Sequence, residues 1–244
     1  MCEPARSADA KAVGPADRSA LDGRGVVRWD EPMVDPGYIV VLNGAPRSGK
    51  SSIVAALQEE TSKPWMNLGV DAFVECVTPP AFRPGVGLRP GGERPDLESW
   101  VSTFYAAMYE SVAAHSRLGL HVVVDVGHHD DYATPRGVLA QVAARLDGLP
   151  AFLIGVRCPL DVIMQRRSVR HPGREGRYAI GTADGQVPDA VLRWQTEVHR
   201  PGVYDLEVDT SVQSPRGCAA AIRSRIESQV PPSAFGRLAE SGTK

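Results

Sequence analysis

Apolar residues along this chain gather into short runs, and between those runs they recur every three or four positions. The short runs read as strands: Tyr38 to Asn43, Met66 to Val70, Leu120 to Asp125, Phe152 to Arg157 and Tyr204 to Val208. The stretches between them read as helices. Lys50 to Glu60 puts Ile53, Val54 and Leu57 on one face. Glu98 to Arg117 repeats Trp100, Phe104, Met108 and Val112 at helical spacing, a stripe expected to be core. Further helices are expected near 136–146, 160–170, 187–199 and 214–228. Strand and helix in alternation predict an α/β fold, a parallel sheet with crossover helices.

The pattern fails at three places. Residues 1–36 are rich in Ala, Pro, Gly, Asp and Arg without apolar periodicity and read as a disordered leader. Residues 230–244 read as a disordered tail, leaving 37–229 as the folded domain. Thr78 to Pro95 is dense in Pro and Gly; long irregular insertions of this kind are either functional or surface loops without order.

With 244 residues the chain suits one sizeable α/β domain. Its 29 acidic and 27 basic residues nearly balance, which argues against a protein that grips nucleic acid backbone. Cys2, Cys76, Cys158 and Cys218 are scattered without a CxxC pair, as reduced thiols are in a cytosolic protein. The N-terminus is polar, and no apolar stretch approaches the roughly 18 to 20 residues of a membrane span. A cytoplasmic protein with neither nucleic acid nor membrane as partner is the expectation; nothing marks its oligomeric state.

One motif changes this picture. Gly44-Ala45-Pro46-Arg47-Ser48-Gly49-Lys50-Ser51 matches GxxxxGKS, follows the apolar run 38–42 and opens an amphipathic helix. The glycines let the backbone wrap until several N–H groups face one phosphate, and the helix aims its positive end at the same place. Lys50 supplies a mobile charge for the β- and γ-phosphates, the Ser51 hydroxyl suits a Mg²⁺ shell, and Ser52 follows in the first turn. The P-loop so defined, Gly44 to Ser52, predicts binding of ATP and Mg²⁺.

No NKxD-type guanine reader is present, and the compact chain carries an Arg-rich segment, Gln165 to Arg177, which fits a small kinase. Guanidinium groups there can close over a moving phosphoryl group, with Arg166 and Arg170 in catalytic positions and Arg174 as a nucleotide contact. The same run also suits a solvated basic helix. Asp125 ends the third strand as a Walker B carboxylate for Mg²⁺ would. Of His128, His129, Asp130 and Asp131, adjacent residues seldom point at one ion, so substrate contacts or capping groups are expected rather than a transition-metal site. Asp71, at the end of the second strand, suits either a general base for an acceptor hydroxyl or a helix N-cap.

These residues together resemble the chloramphenicol phosphotransferase-like family of small P-loop kinases. The resemblance runs from Tyr38 to Glu227. Leu42-Asn43-Gly44 leads into Gly49-Lys50-Ser51, then Pro64-Trp65 and Gly69-Val70-Asp71. Gly155-Val156-Arg157-Cys158, Val198-His199 and Tyr204-Asp205 follow, and Glu207-Val208-Asp209-Thr210 closes the set. It implies a three-layer P-loop NTPase fold of the nucleoside/shikimate-kinase kind, with a five-stranded parallel sheet and an Arg-rich lid. It also implies ATP-dependent phosphorylation of a small molecule's hydroxyl, with Asp71 as base. The chain departs from the family at Ala45 to Ser48, and at Val126, where a second aspartate would follow Asp125. The Pro/Gly insertion and the His128-His129 pair lie on the acceptor side, so the acceptor need not be chloramphenicol. A nucleotide sugar or metabolite kinase, and a nucleotide-dependent binding protein with slow ATPase activity, are the alternatives. Asp209 and Thr210 suit either the adenine side or the cap of the final helix.

Overall fold

The computed structural model describes residues 34–59, 63–88, 94–169 and 186–241. The leader to residue 33 and the end of the chain from 242 lie outside them. Gly37 enters the body tightly: a Cβ there would sit 2.0 Å from the Leu120 carbonyl oxygen, and Ser116 Oγ donates to the Gly37 carbonyl at 2.6 Å.

Five parallel strands form one sheet, β1 (Ile39–Asn43), β2 (Trp65–Asn67), β3 (His121–Val126), β4 (Ala151–Arg157) and β5 (Leu206–Asp209), in the order β2-β3-β1-β4-β5. The central strands are apolar on both faces, as a sheet covered on both sides requires. Ile39, Val41, Val122, Val124 and Leu153 face α3 (Val101–Arg117), α4 (Val138–Arg145) and α8 (Ala234–Ser241). Val40, Leu42, Val123, Phe152 and Ile154 face α1 (Lys50–Gln58) and α7 (Pro215–Glu227). The period of two therefore decides where Asp125 points. It shares the Val123 side of β3, toward α1.

Two expectations are corrected here, and a third, left open between two readings, loses the disordered one. The second strand covers only Trp65–Asn67, and the chain turns at once into a short helix, α2 (Val70–Ala72), continued by a π-helical turn over Phe73–Val77. Asp71 thus stands in a first helical turn and not at a strand end. The expected tail contains α8, because Ala234, Phe235 and Leu238 share one face and bury it against α4 and β4. The Asp205 carboxylate accepts from Ser233 N and Ala234 N, at 2.7 and 3.1 Å, where that helix begins. The Pro/Gly segment is folded into 3₁₀ turns at Pro80–Phe82 and Gly85–Gly87, anchored by buried Val86 and Leu88; residues 89–93 lie outside the described set.

Of the α3 stripe, Met108 and Val112 are core as expected. Trp100 is 46% exposed; it stacks on Phe104 and meets Phe82 edge-on instead. The two remaining helices, α5 (Leu160–Ser168) and α6 (Asp189–Glu197), pack through Ile163 and Val191 beside Ala45 at the carboxyl end of the sheet.

Candidate functional site

The strand ends converge on the segment between β1 and α1. Gly44 is glycine for a packing reason: a Cβ would lie 2.5 Å from the Val156 carbonyl oxygen of β4. Gly49 caps α1 in the left-handed region at φ 95°, and Arg47 also takes a positive φ of 73°. No side chain caps α1 and no carboxylate stands in its first turn, so its positive end is left for an external anion. The contrast with α7 is plain, since there Ser214 Oγ takes the Gly217 N–H at 3.1 Å.

Lys50 Nζ folds back and donates to the carbonyls of Gly44 and Ala45, at 2.7 and 2.9 Å. Burial lowers its ammonium to a pKa of about 8, against the pull of Asp125 and Asp71 in the other direction. Ser51 Oγ donates to Asp125 Oδ2 at 2.9 Å. Burial raises the Asp125 carboxyl above its ordinary value, while Lys50 and the Ser51 hydroxyl oppose the rise. Gly69 makes room for this carboxylate: a Cβ there would lie 1.7 Å from Asp125 Oδ1. Asp71 follows two residues later and interacts electrostatically with both Lys50 and Asp125. A hydroxyl and a buried carboxylate beside a phosphate cradle are hard oxygen donors of the kind Mg²⁺ accepts alongside phosphate and water.

These groups line a cleft of about 1080 Å³. One end is bounded by Thr210, Gln213 and Pro215, the middle by Pro46, Arg47 and Gly49 to Ser52, and the other end by Val70, Asp71, Arg83, Leu88, Arg94 and Trp194. Asn43 holds the entrance of the loop, donating to Val198 O at 2.7 Å and accepting from His128 N at 2.8 Å.

Not every expected site residue stands as expected. Arg166 lines the cleft, but its nitrogens donate to the Thr210 hydroxyl and carbonyl at 3.0 and 2.7 Å. It exchanges contacts with Arg47, each guanidinium donating to the other residue's carbonyl. In this arrangement it braces the P-loop against the loop after β5. Arg170 and Arg174 lie outside the described residues. Thr210 does not cap α7; its hydroxyl donates to the Ser48 carbonyl at 2.6 Å.

His128 and His129 are buried in the interior and are not among the residues that line the cleft. His128 Nε2 meets the Tyr109 hydroxyl at 2.6 Å, and burial lowers its pKa to about 3. His129 Nε2 meets the Leu88 carbonyl at 3.1 Å. Asp130 caps the turn into α4 through Arg136 N and Gly137 N, and Asp131 pairs with Arg193 at 2.7 Å. No group of three or more metal-ligating residues occurs among the described residues. Arg83, Arg94, Arg167 and Trp194 line the cleft without having been singled out from sequence. Arg167 was visible within the Arg-rich segment, whereas the other three had no motif to mark them.

Comparisons with known proteins fit this geometry. A protein of Mycobacterium tuberculosis that bears the provisional name O-phosphotransferase is 25% identical over 219 residues, covering 83% of this chain and 88% of the relative. Among solved structures, the APS kinase of M. tuberculosis, in complex with AMPPNP and APS, superposes with a TM-score of 0.54 at 16% identity, over 80% of this chain and 99% of that one. Shikimate kinase from Acinetobacter baumannii, in complex with shikimate, gives 0.52 at 13% identity, over 81% and 96%. At such identities the likeness concerns the fold, which is that of the P-loop kinases. The family model of chloramphenicol phosphotransferase-like proteins matches residues 37–227, and the chain belongs to that family of phosphotransferases.

Proposed function

We propose that the protein transfers the γ-phosphate of ATP, with Mg²⁺, to a hydroxyl group of a small molecule. The observation that carries this reading is the convergence of Lys50, the Ser51–Asp125 pair and Asp71 at the uncapped end of α1.

The two carboxylates differ in their surroundings. Asp125 is buried and already engaged by Ser51, which suits the metal side. Asp71 is only partly buried and borders the cleft, which suits the acceptor side. When bound, Mg²⁺ held by Ser51 Oγ and Asp125 supplies positive charge to the phosphate oxygens. The backbone from Gly44 to Ser51 cradles the phosphates, and Lys50 turns from its loop carbonyls toward the β- and γ-phosphates. Asp71 orients the acceptor hydroxyl and takes its proton as the oxygen bonds to the γ-phosphorus. The bond to the β-phosphate oxygen breaks, ADP departs, and the proton leaves Asp71 to solvent. Arg166 acts here by bracing the loop, and to Arg167, which lines the cleft from the adjoining helix position, we assign the charge that meets the transferring group. Arg170 and Arg174 complete the proposed lid.

The test is a screen of antibiotics and metabolites, each incubated with ATP, Mg²⁺ and the protein, for a mass gain of one phosphate. A phosphorylated hydroxyl compound is the expected result. If calorimetry finds no Mg²⁺-dependent affinity for ATP, the reading fails at its root. ATP binding without transfer to any compound would instead favour a nucleotide-dependent binding protein.

A further inference from the structure

Two arginines at the far end of the cleft stand in unlike circumstances. Arg94 forms a bidentate pair with Asp96, at 2.9 and 2.7 Å, and also donates to the carbonyls of Arg83 and Ala81. Its charge is met by a carboxylate. Arg83 is half-buried and lines the same chamber, but its Nε and Nη2 donate to neutral main-chain oxygens, Thr78 O at 3.0 Å and Glu75 O at 2.7 Å. Among the described residues, no carboxylate stands within ion-pair distance of it.

Carbonyl partners fix the direction of a guanidinium without cancelling its charge. The surroundings make that charge matter. The turn that follows Arg83 rests on the helix carrying Asp71, since Gly87 lies against Val70 and Val74. Much of this end of the cleft is apolar, with Val86, Leu88 and Trp194 in its lining. The carboxylates of the lining are Asp71 and Asp125, both engaged electrostatically with Lys50. An oriented cation whose partners are neutral keeps its charge for an anion, and apolar walls beside it lessen the competition from water.

We propose that Arg83 is the anion-binding subsite of the acceptor. The substrate then carries, besides the hydroxyl that is phosphorylated, a carboxylate, sulfate or phosphate group that pairs with Arg83, and an apolar body that lies along Leu88 and Trp194. The hydroxyl in this statement rests on the kinase reading above; the anion subsite does not.

Two measurements test it. In the first, the nucleotide end is saturated with Mg²⁺ and a non-hydrolysable ATP analogue, and the protein is titrated with sulfate. One saturable sulfate site is expected, weakened at least about fivefold in Arg83→Gln and unchanged in the exposed control Arg216→Gln. Absence of a saturable site, or equal affinity in Arg83→Gln, overturns the proposal. In the second, hydroxy acids, hydroxy sulfates and hydroxy phosphates are each compared with an uncharged counterpart as phosphate acceptors. The charged members should show KM values lower by about tenfold or more. That ratio should collapse in Arg83→Gln and partly recover in Arg83→Lys, whereas simple loosening of the turn would weaken both members alike. Equal use of charged and neutral acceptors by the unmutated protein overturns the subsite while leaving the kinase reading intact. If no compound gains phosphate, the kinase reading fails and the sulfate titration still decides the subsite.

Discussion

At its phosphate end the cleft is made of backbone from one short run, Gly44 to Ser51, fixed by two glycines and a helix start. At its other end, the one proposed for the acceptor, it is made of side chains from α2, the 3₁₀ turns, the end of β3 and α6, which are far apart in sequence. A local backbone cradle tolerates almost any side chain that preserves its path, and it selects a chemical group common to many ligands. A wall assembled from distant side chains selects a particular molecule and changes with each substitution. Family members can therefore share the first and differ in the second.

This contrast can be sharpened by breaking each end in turn. The largest effect is expected at the acceptor end: Asp71→Asn should lower kcat by about 10²- to 10⁴-fold while ATP affinity stays within about twofold. Full turnover in that variant would remove the assignment of the base. Lys50→Ala should act on both quantities, lowering kcat/KM by about 10³-fold and ATP affinity by at least tenfold, read by steady-state kinetics and calorimetry. Gly69→Ala sits where the two ends meet. Its Cβ would displace the Asp125 carboxylate from Ser51 or cost about 1–3 kcal/mol of stability, so either the Mg²⁺-dependent part of ATP affinity or the denaturation midpoint should fall.

The smallest effect is a pH dependence confined to the phosphate end. Burial holds Lys50 near 8 in the ligand-free protein, and a bound triphosphate favours its charged form. Binding should therefore take up a proton once the pH exceeds about 8, and ATP affinity should fall by up to about tenfold per pH unit above that point. Calorimetry in buffers of different ionisation enthalpy measures the uptake. A flat affinity between about pH 7 and 10 would show that Lys50 is not the titrating group.

The same contrast explains what could be read from the sequence. The P-loop was legible because its determinants are contiguous, and Asp125 stood out as a carboxylate at the carboxyl end of an apolar run; that it faces α1 and meets Ser51 came only with the structure. His128 and His129 looked like polar site residues, yet their partners, Tyr109 and Leu88, lie on other elements and draw both rings into the interior. The Pro/Gly segment carried a signal in Val86 and Leu88, two apolar residues that the surrounding glycines obscured. Ala234, Phe235 and Leu238 likewise had helical spacing, outweighed by the prolines just before them. Arg166 was recognised as a site residue but not as a brace, because Thr210 reaches it only through the strand order of the sheet. Arg83 has no local pattern at all; its meaning depends on which carbonyls and carboxylates surround it.

Asn43 gives the cradle one more property. Its amide joins the end of β1 to Val198 and to His128, so the chain entering the loop is held from both sides by the protein's own groups. A site prepared in this way gives up little conformational entropy when it is filled. Nucleotide at a hundredfold excess over Kd should raise the unfolding free energy by about 2.7 kcal/mol, and the thermal midpoint rises with it. Melting temperature thereby becomes a direct gauge of occupancy.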